Sequence, residues 1–240
     1  MSWIVGGTVI PNFGTGSKCV TGNHVFCWDW VRQHWGDTLG PALVEHIELT
    51  AIAVGIGFAL AFALALVTHR YGFVEQPVGA ISALLYTIPS IALFQVLVPF
   101  TGLSYTTIEI ALVAYTLVIL YPNIVNGLRS PTPDVLEAAR GMGLTQRQIL
   151  LRVELPLAVP AIVSGLRIAV VSTISIATIA ALIGPYGLGS PIYVALREAT
   201  PFKTEIYSAG VLAVGLALAC DAGLRLLRRV LAPWSARRLA

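Results

Sequence analysis

Five stretches of this chain are long, apolar and nearly free of charge, and that pattern restricts the folds open to it. Leu49 to Val67 carries no charged residue; nor do Pro77 to Thr107, Ile110 to Leu128 and Ile168 to Leu196, while Ile206 to Leu224 carries only Asp221. About 20 apolar residues in a helix cross a hydrocarbon core of about 30 Å. A backbone in lipid must satisfy its own polar groups, which a helix does within one segment. The expected fold is all-α and polytopic, with five transmembrane helices at about 46–67, 79–101, 107–128, 160–184 and 206–228. Gly184, Pro185, Gly187, Gly189 and Pro191 end the fourth of these well before Leu196. Composition excludes the ordinary soluble classes: 11% of the residues are charged, against about 25% in a soluble domain.

The basic residues orient the bundle. With the loop between the third and fourth spans placed in the cytoplasm, eleven of the fifteen Lys and Arg fall inside, and Lys18, Arg32, Arg197 and Lys203 fall outside. The N-terminus is then expected outside and the C-terminus inside. Residues 1–45 read as an extracytoplasmic segment with an interfacial helix, 46–228 as the membrane domain and 229–240 as a basic cytoplasmic tail. Met1 to Ser17 has no basic lead and is broken by glycine and proline, so it does not read as a signal peptide. Phe26, Trp28, Trp30 and Trp35 with His24 and His34 suit either a headgroup-level anchor or a docking surface for an external partner. Cys19 and Cys27 can pair if their compartment is oxidising; Cys220 reads as a small packing residue.

No C-x-x-C, H-E-x-x-H or complete phosphate-binding loop occurs, so neither a metal site nor a catalytic constellation is expected, and the chain is not expected to bind ATP. The glycine-rich run Ile183 to Gly189 lacks the Lys-Ser/Thr that would hold phosphate. A net charge of +3 gives no sign of nucleic-acid binding.

The informative segment is the polar loop 129–158 between two spans. Thr132-Pro133-Asp134 reads as a helix start, with a hydroxyl cap, proline in the first turn and an acid at the positive helix end. Gly141 and Gly143 stop or bend that helix. Thr145 to Gln148 fits a capping box for a second short helix, expected to run to Pro156. Two capped helices form a stiff knob, in which the small Ala138 and Ala139 allow a partner's backbone to approach. An amphipathic loop lying on the membrane surface fits the same pattern.

Within this loop, Glu137-Ala138-Ala139, Gly143, Val153 and Leu155-Pro156 stand at the spacing E-A-A-x3-G-x9-[I/V]-x-L-P. That resembles the EAA signature of bacterial ABC importer permeases. Tyr86 to Ser90, Tyr121-Pro122, Asn126 to Arg129, Glu154 to Pro156, Ala161 to Arg167 and Ala180 to Gly184 resemble the osmoprotectant group of that family. The resemblance implies a type I ABC transmembrane domain in a prokaryotic cell membrane. It implies a coupling helix at residues 134–152 seated in an ATPase subunit, with Glu137, Ala138, Ala139, Arg140, Gly143, Leu155 and Pro156 as the coupling residues. It also implies two ATP-binding subunits carrying ATP and magnesium, a second permease copy or relative, and an external solute-binding protein. The solute would be glycine betaine, choline, carnitine or proline betaine. Permeases for methionine or another amino acid share the architecture. A secondary transporter driven by an ion gradient would leave the EAA element unexplained.

Other polar residues keep two readings. Pro89 with Thr87 and Ser90 suits a pathway hinge or a structural kink. Ser172, Thr173, Ser175 and Thr178 suit close helix packing or the lining of a pathway. Asp221 is expected to pair with Arg225 one turn on, and Glu48 and Glu109 to lie at span ends.

Overall fold

The computed structural model describes residues 17–234. The first sixteen residues, and Arg237 and Arg238 of the basic tail, lie outside the described residues. The elements in chain order are α1 (Lys18–Thr21), α2 (Trp28–Gln33), α3 (Gly40–Arg70), α4 (Glu75–Thr87), α5 (Ser90–Thr101), α6 (Tyr105–Leu128), α7 (Pro133–Gly141), α8 (Gln146–Ile149), α9 (Leu155–Ile179), α10 (Gly189–Arg197) and α11 (Lys203–Leu231). A π-helical turn, Trp35–Leu39, leads into α3, and another, Leu150–Glu154, joins α8 to α9.

Among the described residues, four helical runs are long and apolar enough to cross a membrane: Trp35–Arg70, Tyr105–Leu128, Gln146–Leu182 and Lys203–Leu231. A bent pair, α4 with the turn before it and α5, passes the same test only when the two are taken together, and they meet at 101°. The single kinked span expected at 79–101 is therefore two helices. Proline cannot donate to the preceding turn, and the residue before it avoids the helical region. Ile88 accordingly turns extended, and Pro89 becomes the N-cap of α5. The Ile88 carbonyl freed by the break accepts a hydrogen bond from the Tyr115 hydroxyl of α6.

The helix expected to end at Pro156 does not end there. In the π turn the Leu155 N–H reaches back to the Leu150 carbonyl, five residues away. That shift in register puts Pro156 in the first turn of α9, where no N–H is required. α8, the π turn and α9 thus form one continuous rod.

α6 is the centre of the bundle: 61% of its apolar window is buried, against 6% of that of α11. Leu49, Phe94, Ile108, Leu112 and Ala177 fill one half of the core, and Ala61, Leu120, Ile124, Leu128 and Ala158 the other. Small residues set the helix spacing, as membrane interfaces favour. A Cβ placed on Gly165 of α9 would lie 2.5 Å from the Cβ of Asn123 on α6. Thr116 and Thr173 hydroxyls bond across the same interface at 3.1 Å, and Thr68 of α3 bonds the Tyr121 hydroxyl at 3.0 Å.

At the end of the bundle away from α7, Cys19 and Cys27 are joined in a disulfide. The segment they close packs on the corner between α10 and α11. Asn23 donates to the Pro201 carbonyl at 3.0 Å, and the Thr204 hydroxyl donates to the His24 carbonyl at 2.8 Å. Trp30, read as one of a set of interfacial aromatics, is instead a core residue packed edge-on against Phe202; Phe26, Trp28 and Trp35 face outward.

Candidate functional site

The loop between α6 and α9 builds a rigid knob. Thr132 holds the N-cap position of α7 in extended geometry, with Pro133 and Asp134 behind it, but its hydroxyl makes no capping bond, contrary to expectation. α7 ends in two overlapping bonds: Gly143 N–H donates to the Arg140 carbonyl at 2.9 Å, and Leu144 N–H to Ala139 at 3.2 Å. That closing pattern needs a left-handed residue, and Gly143 supplies it with φ +79°. The capping box of α8 is complete: Gln148 N–H donates to the Thr145 hydroxyl at 3.4 Å, and Thr145 N–H to the Gln148 side chain at 2.8 Å.

On this knob Glu137, Ala138 and Arg140 are exposed, together with Val135 and Met142. Ala139 turns inward and is 2% exposed, so only one of the two alanines expected to face a partner does so. Leu155 and Pro156 lie half-buried at the start of α9, away from the exposed face.

Two side-chain contacts tie the knob to the rest of the bundle. His69 at the end of α3 lies 2.9 Å from Glu154 in the π turn, whose side chain is buried. Arg129, just before the knob, pairs in bidentate fashion with Glu75 at the start of α4. Neither partner pair was singled out in the sequence; Glu154 occupies an undefined position of the EAA spacing.

The expected pathway residues divide. Thr173 is buried against Thr116 and serves packing. Ser175 is exposed and donates to the Val171 carbonyl at 3.1 Å, while Thr178 is half-buried and donates to Ile174 at 3.0 Å. Thr87 closes α4 by donating to Leu84 at 2.7 Å, and Pro89 and Ser90 begin α5. Ser172 lines a groove between α9 and α11 of about 470 Å³ with Arg167 and Asp221. A second groove, walled by Ser82, Tyr86, Tyr121 and Asn123 of α4 and α6, meets the first at Ile168.

Asp221 pairs with Arg225 as expected and also with Arg167 of α9, whose Nε lies 2.7 Å away. Glu48 is exposed in α3, whereas Glu109 is buried in α6 one turn from Tyr105 rather than merely marking a span end. At the same end of the bundle, the loop after α9 is held by α3. Gly187 N–H donates to Glu45 at 2.8 Å, Leu188 N–H donates to His46 Nδ1 at 3.2 Å, and His46 Nε2 meets the Ile174 carbonyl at 3.1 Å. These contacts place the proton of His46 on Nε2 and leave Nδ1 to accept. The cluster Glu45, His46 and Glu48 just ahead of the apolar run from Leu49 was the signal available for that clamp.

Comparison with known proteins places this arrangement. The family described as "Binding-protein-dependent transport system inner membrane component" matches residues 53–235. The chain is 37% identical over 156 residues to the osmoprotectant import permease protein OsmW of Salmonella typhimurium, spanning 63% of this chain and 73% of that one. It is 32% identical over 196 residues to the choline transport system permease protein OpuBB of Bacillus subtilis, spanning 81% and 89%. It is 32% identical over 169 residues to the carnitine transport permease protein OpuCB of Listeria monocytogenes, spanning 70% and 78%. Among solved structures, a chain of the MetNI methionine ABC transporter in an inward-facing conformation superposes with a TM-score of 0.72. It spans 80% of this chain and 95% of that one at 22% identity, a likeness of fold.

Proposed function

The chain belongs to the family of inner membrane components of binding-protein-dependent transport systems, and from that premise we propose that it is the permease subunit of an ATP-driven importer of compatible solutes. Glycine betaine, choline, carnitine and proline betaine form the substrate class, by analogy with the osmoprotectant, choline and carnitine permeases it resembles. The observation that carries the reading is the α7 knob: a short helix with Glu137, Ala138 and Arg140 exposed and a glycine-closed end.

The knob faces the cytoplasm in this reading, with the N-terminus outside and the C-terminus inside. Two ATP-binding subunits, carrying ATP and magnesium, each hold the α7 of one permease, and a second permease copy or relative completes the pathway. An external solute-binding protein delivers the solute to the opposite end. Closure of the ATPase pair displaces α7. The rod Gln146–Leu182, 37 residues and about 55 Å long at 1.5 Å per residue, carries that displacement through the membrane. Glu154–His69 and Arg129–Glu75 pass it to α3 and α4. The open face around Ile168, with Ser172 and the α4–α5 break, then alternates between the two sides.

The test is competition. Labelled glycine betaine is offered to proteoliposomes holding the full transporter and internal ATP, with unlabelled choline, carnitine and methionine as competitors. Block by choline and carnitine supports the substrate class. Block by methionine alone keeps the importer and discards the class.

A further inference from the structure

The groove between α9 and α11 carries an uncompensated positive charge inside an apolar frame. Its polar lining is Ser164, Arg167, Ser172, Asp221 and Arg225, and its walls include Val171 and Leu218. Asp221 spends both carboxylate oxygens on the arginines: Oδ1 accepts from Arg167 Nε at 2.7 Å, and Oδ2 meets Arg225 Nη2. Arg228, one turn beyond Arg225 and two beyond Asp221, reaches the Ser164 hydroxyl at 3.5 Å. Two guanidinium groups thus face one carboxylate in the groove, an excess of one positive charge, and Arg228 stands beside Ser164 next to them. Each guanidinium holds five N–H donors in a planar fork. The contacts named use Arg167 Nε and one Nη of Arg225.

Such a cluster is costly in a membrane helix, and ionisable groups kept there mark binding or transport sites by default. A mere staple between α9 and α11 needs one arginine, and Arg167–Asp221 already supplies it. We propose that Arg167 and Arg225 form an oxyanion site, for which Asp221 is the resident counter-ion. The Arg225 side chain is 63% exposed, against 25% for Arg167 and 15% for Asp221. Arg225 is therefore the arm free to leave Asp221 and take the incoming group, while Arg167 stays as the fixed half. Paired arginine forks match carboxylate and phosphate oxygens in bidentate fashion. The apolar walls suit a ligand whose remainder is methylated or aliphatic. Two ligands offer that chemistry: a zwitterionic solute with a carboxylate, and a phospholipid at the membrane surface with a phosphate. The first of these deepens the proposed import function and rests on it; the second does not.

The test measures binding without transport. The permease–ATPase complex, purified without its binding protein, is melted with four probes: glycine betaine, choline, and water-soluble short-chain phosphatidylglycerol and phosphatidylcholine. Choline has the same trimethylammonium group as glycine betaine and no carboxylate. A saturating oxyanion ligand should raise the unfolding temperature by about 2–4 °C. Arg225→Gln, at an exposed side chain, should lose that rise while melting normally without probe. Asp221→Asn, which removes the competing carboxylate, should enlarge it, an effect that damaged folding cannot imitate. A rise with glycine betaine but not choline, lost in Arg225→Gln, assigns the site to the solute carboxylate. A rise with phosphatidylglycerol exceeding that with phosphatidylcholine, lost in the same variant, assigns it to lipid phosphate. No rise with either oxyanion, or equal rises in wild type and Arg225→Gln, overturns the proposal. Because no uptake is read, a transporter of some other solute refutes the import reading and leaves this result standing.

Discussion

His69 Nε2 lies 2.9 Å from Glu154 Oε2, and this contact joins the end of α3 to the π turn through which the α7 knob meets its membrane helix. Glu154 is buried, so loss of its partner leaves an unsatisfied carboxylate at a cost of about 1–3 kcal/mol. His69→Ala and Glu154→Gln should each lower the stability of the purified complex, and the double variant should lose less than the sum. A thermal double-mutant cycle reads the coupling. Strict additivity would show that the contact carries no energy.

Gly143 is held at φ +79° with open space around its Cβ position, so its requirement is conformational and not steric. A side chain there costs roughly 1–2 kcal/mol and loosens the closed end of α7. Gly143→Leu should leave membrane insertion intact and sharply reduce uptake per ATP hydrolysed. Gly141, two residues earlier in helical geometry with no neighbour near its Cβ position, is the control. Gly141→Ala should transport normally and gain up to about 1 kcal/mol of helix stability. Paired measurements of ATPase rate and uptake check both variants.

Ala138 and Ala139 separate folding from partner contact. Ala138→Trp adds bulk on the exposed side of α7 and should block association with the ATPase subunit while the permease folds normally. Ala139→Trp adds it on the buried side and should lower the yield of folded permease by itself. Co-purification against permease yield distinguishes the two.

Helix spacing between α6 and α9 depends on Gly165. Gly165→Val drives its Cβ to 2.5 Å from that of Asn123, and helix backbones must separate to relieve the clash. The variant should fail to yield a monodisperse complex by size-exclusion chromatography. Gly215→Val in α11 meets nothing within 4 Å and should elute as wild type does.

The limits of sequence reading here follow from where the deciding contacts lie. Uncharged runs such as Leu49 to Val67 announce membrane helices because lipid tolerates little else, and the capping box Thr145–Gln148 is local by nature. The break at Pro89 was half legible. Proline is visible in the sequence, but the hydroxyl that donates to the freed Ile88 carbonyl comes from Tyr115, 27 residues on. Pro156 was expected to end a helix, because nothing local reveals that a π turn will shift the hydrogen-bond register before it. Arg167 and Asp221 are 54 residues apart, and the nearer Arg225 supplied a sufficient local partner. His46 and Glu45 act on a loop 142 residues later and leave only an isolated polar pair in the sequence.

In the proposed function, ATP hydrolysis on a partner subunit, transmitted through α7, drives solute inward. The most direct measurement is uptake of labelled glycine betaine by proteoliposomes containing the permease, its ATPase and its binding protein, with internal ATP or with an imposed ion gradient and no ATP. The account predicts accumulation with ATP alone, abolished by Gly143→Leu at normal protein level. Accumulation that follows the ion gradient and ignores ATP would contradict it.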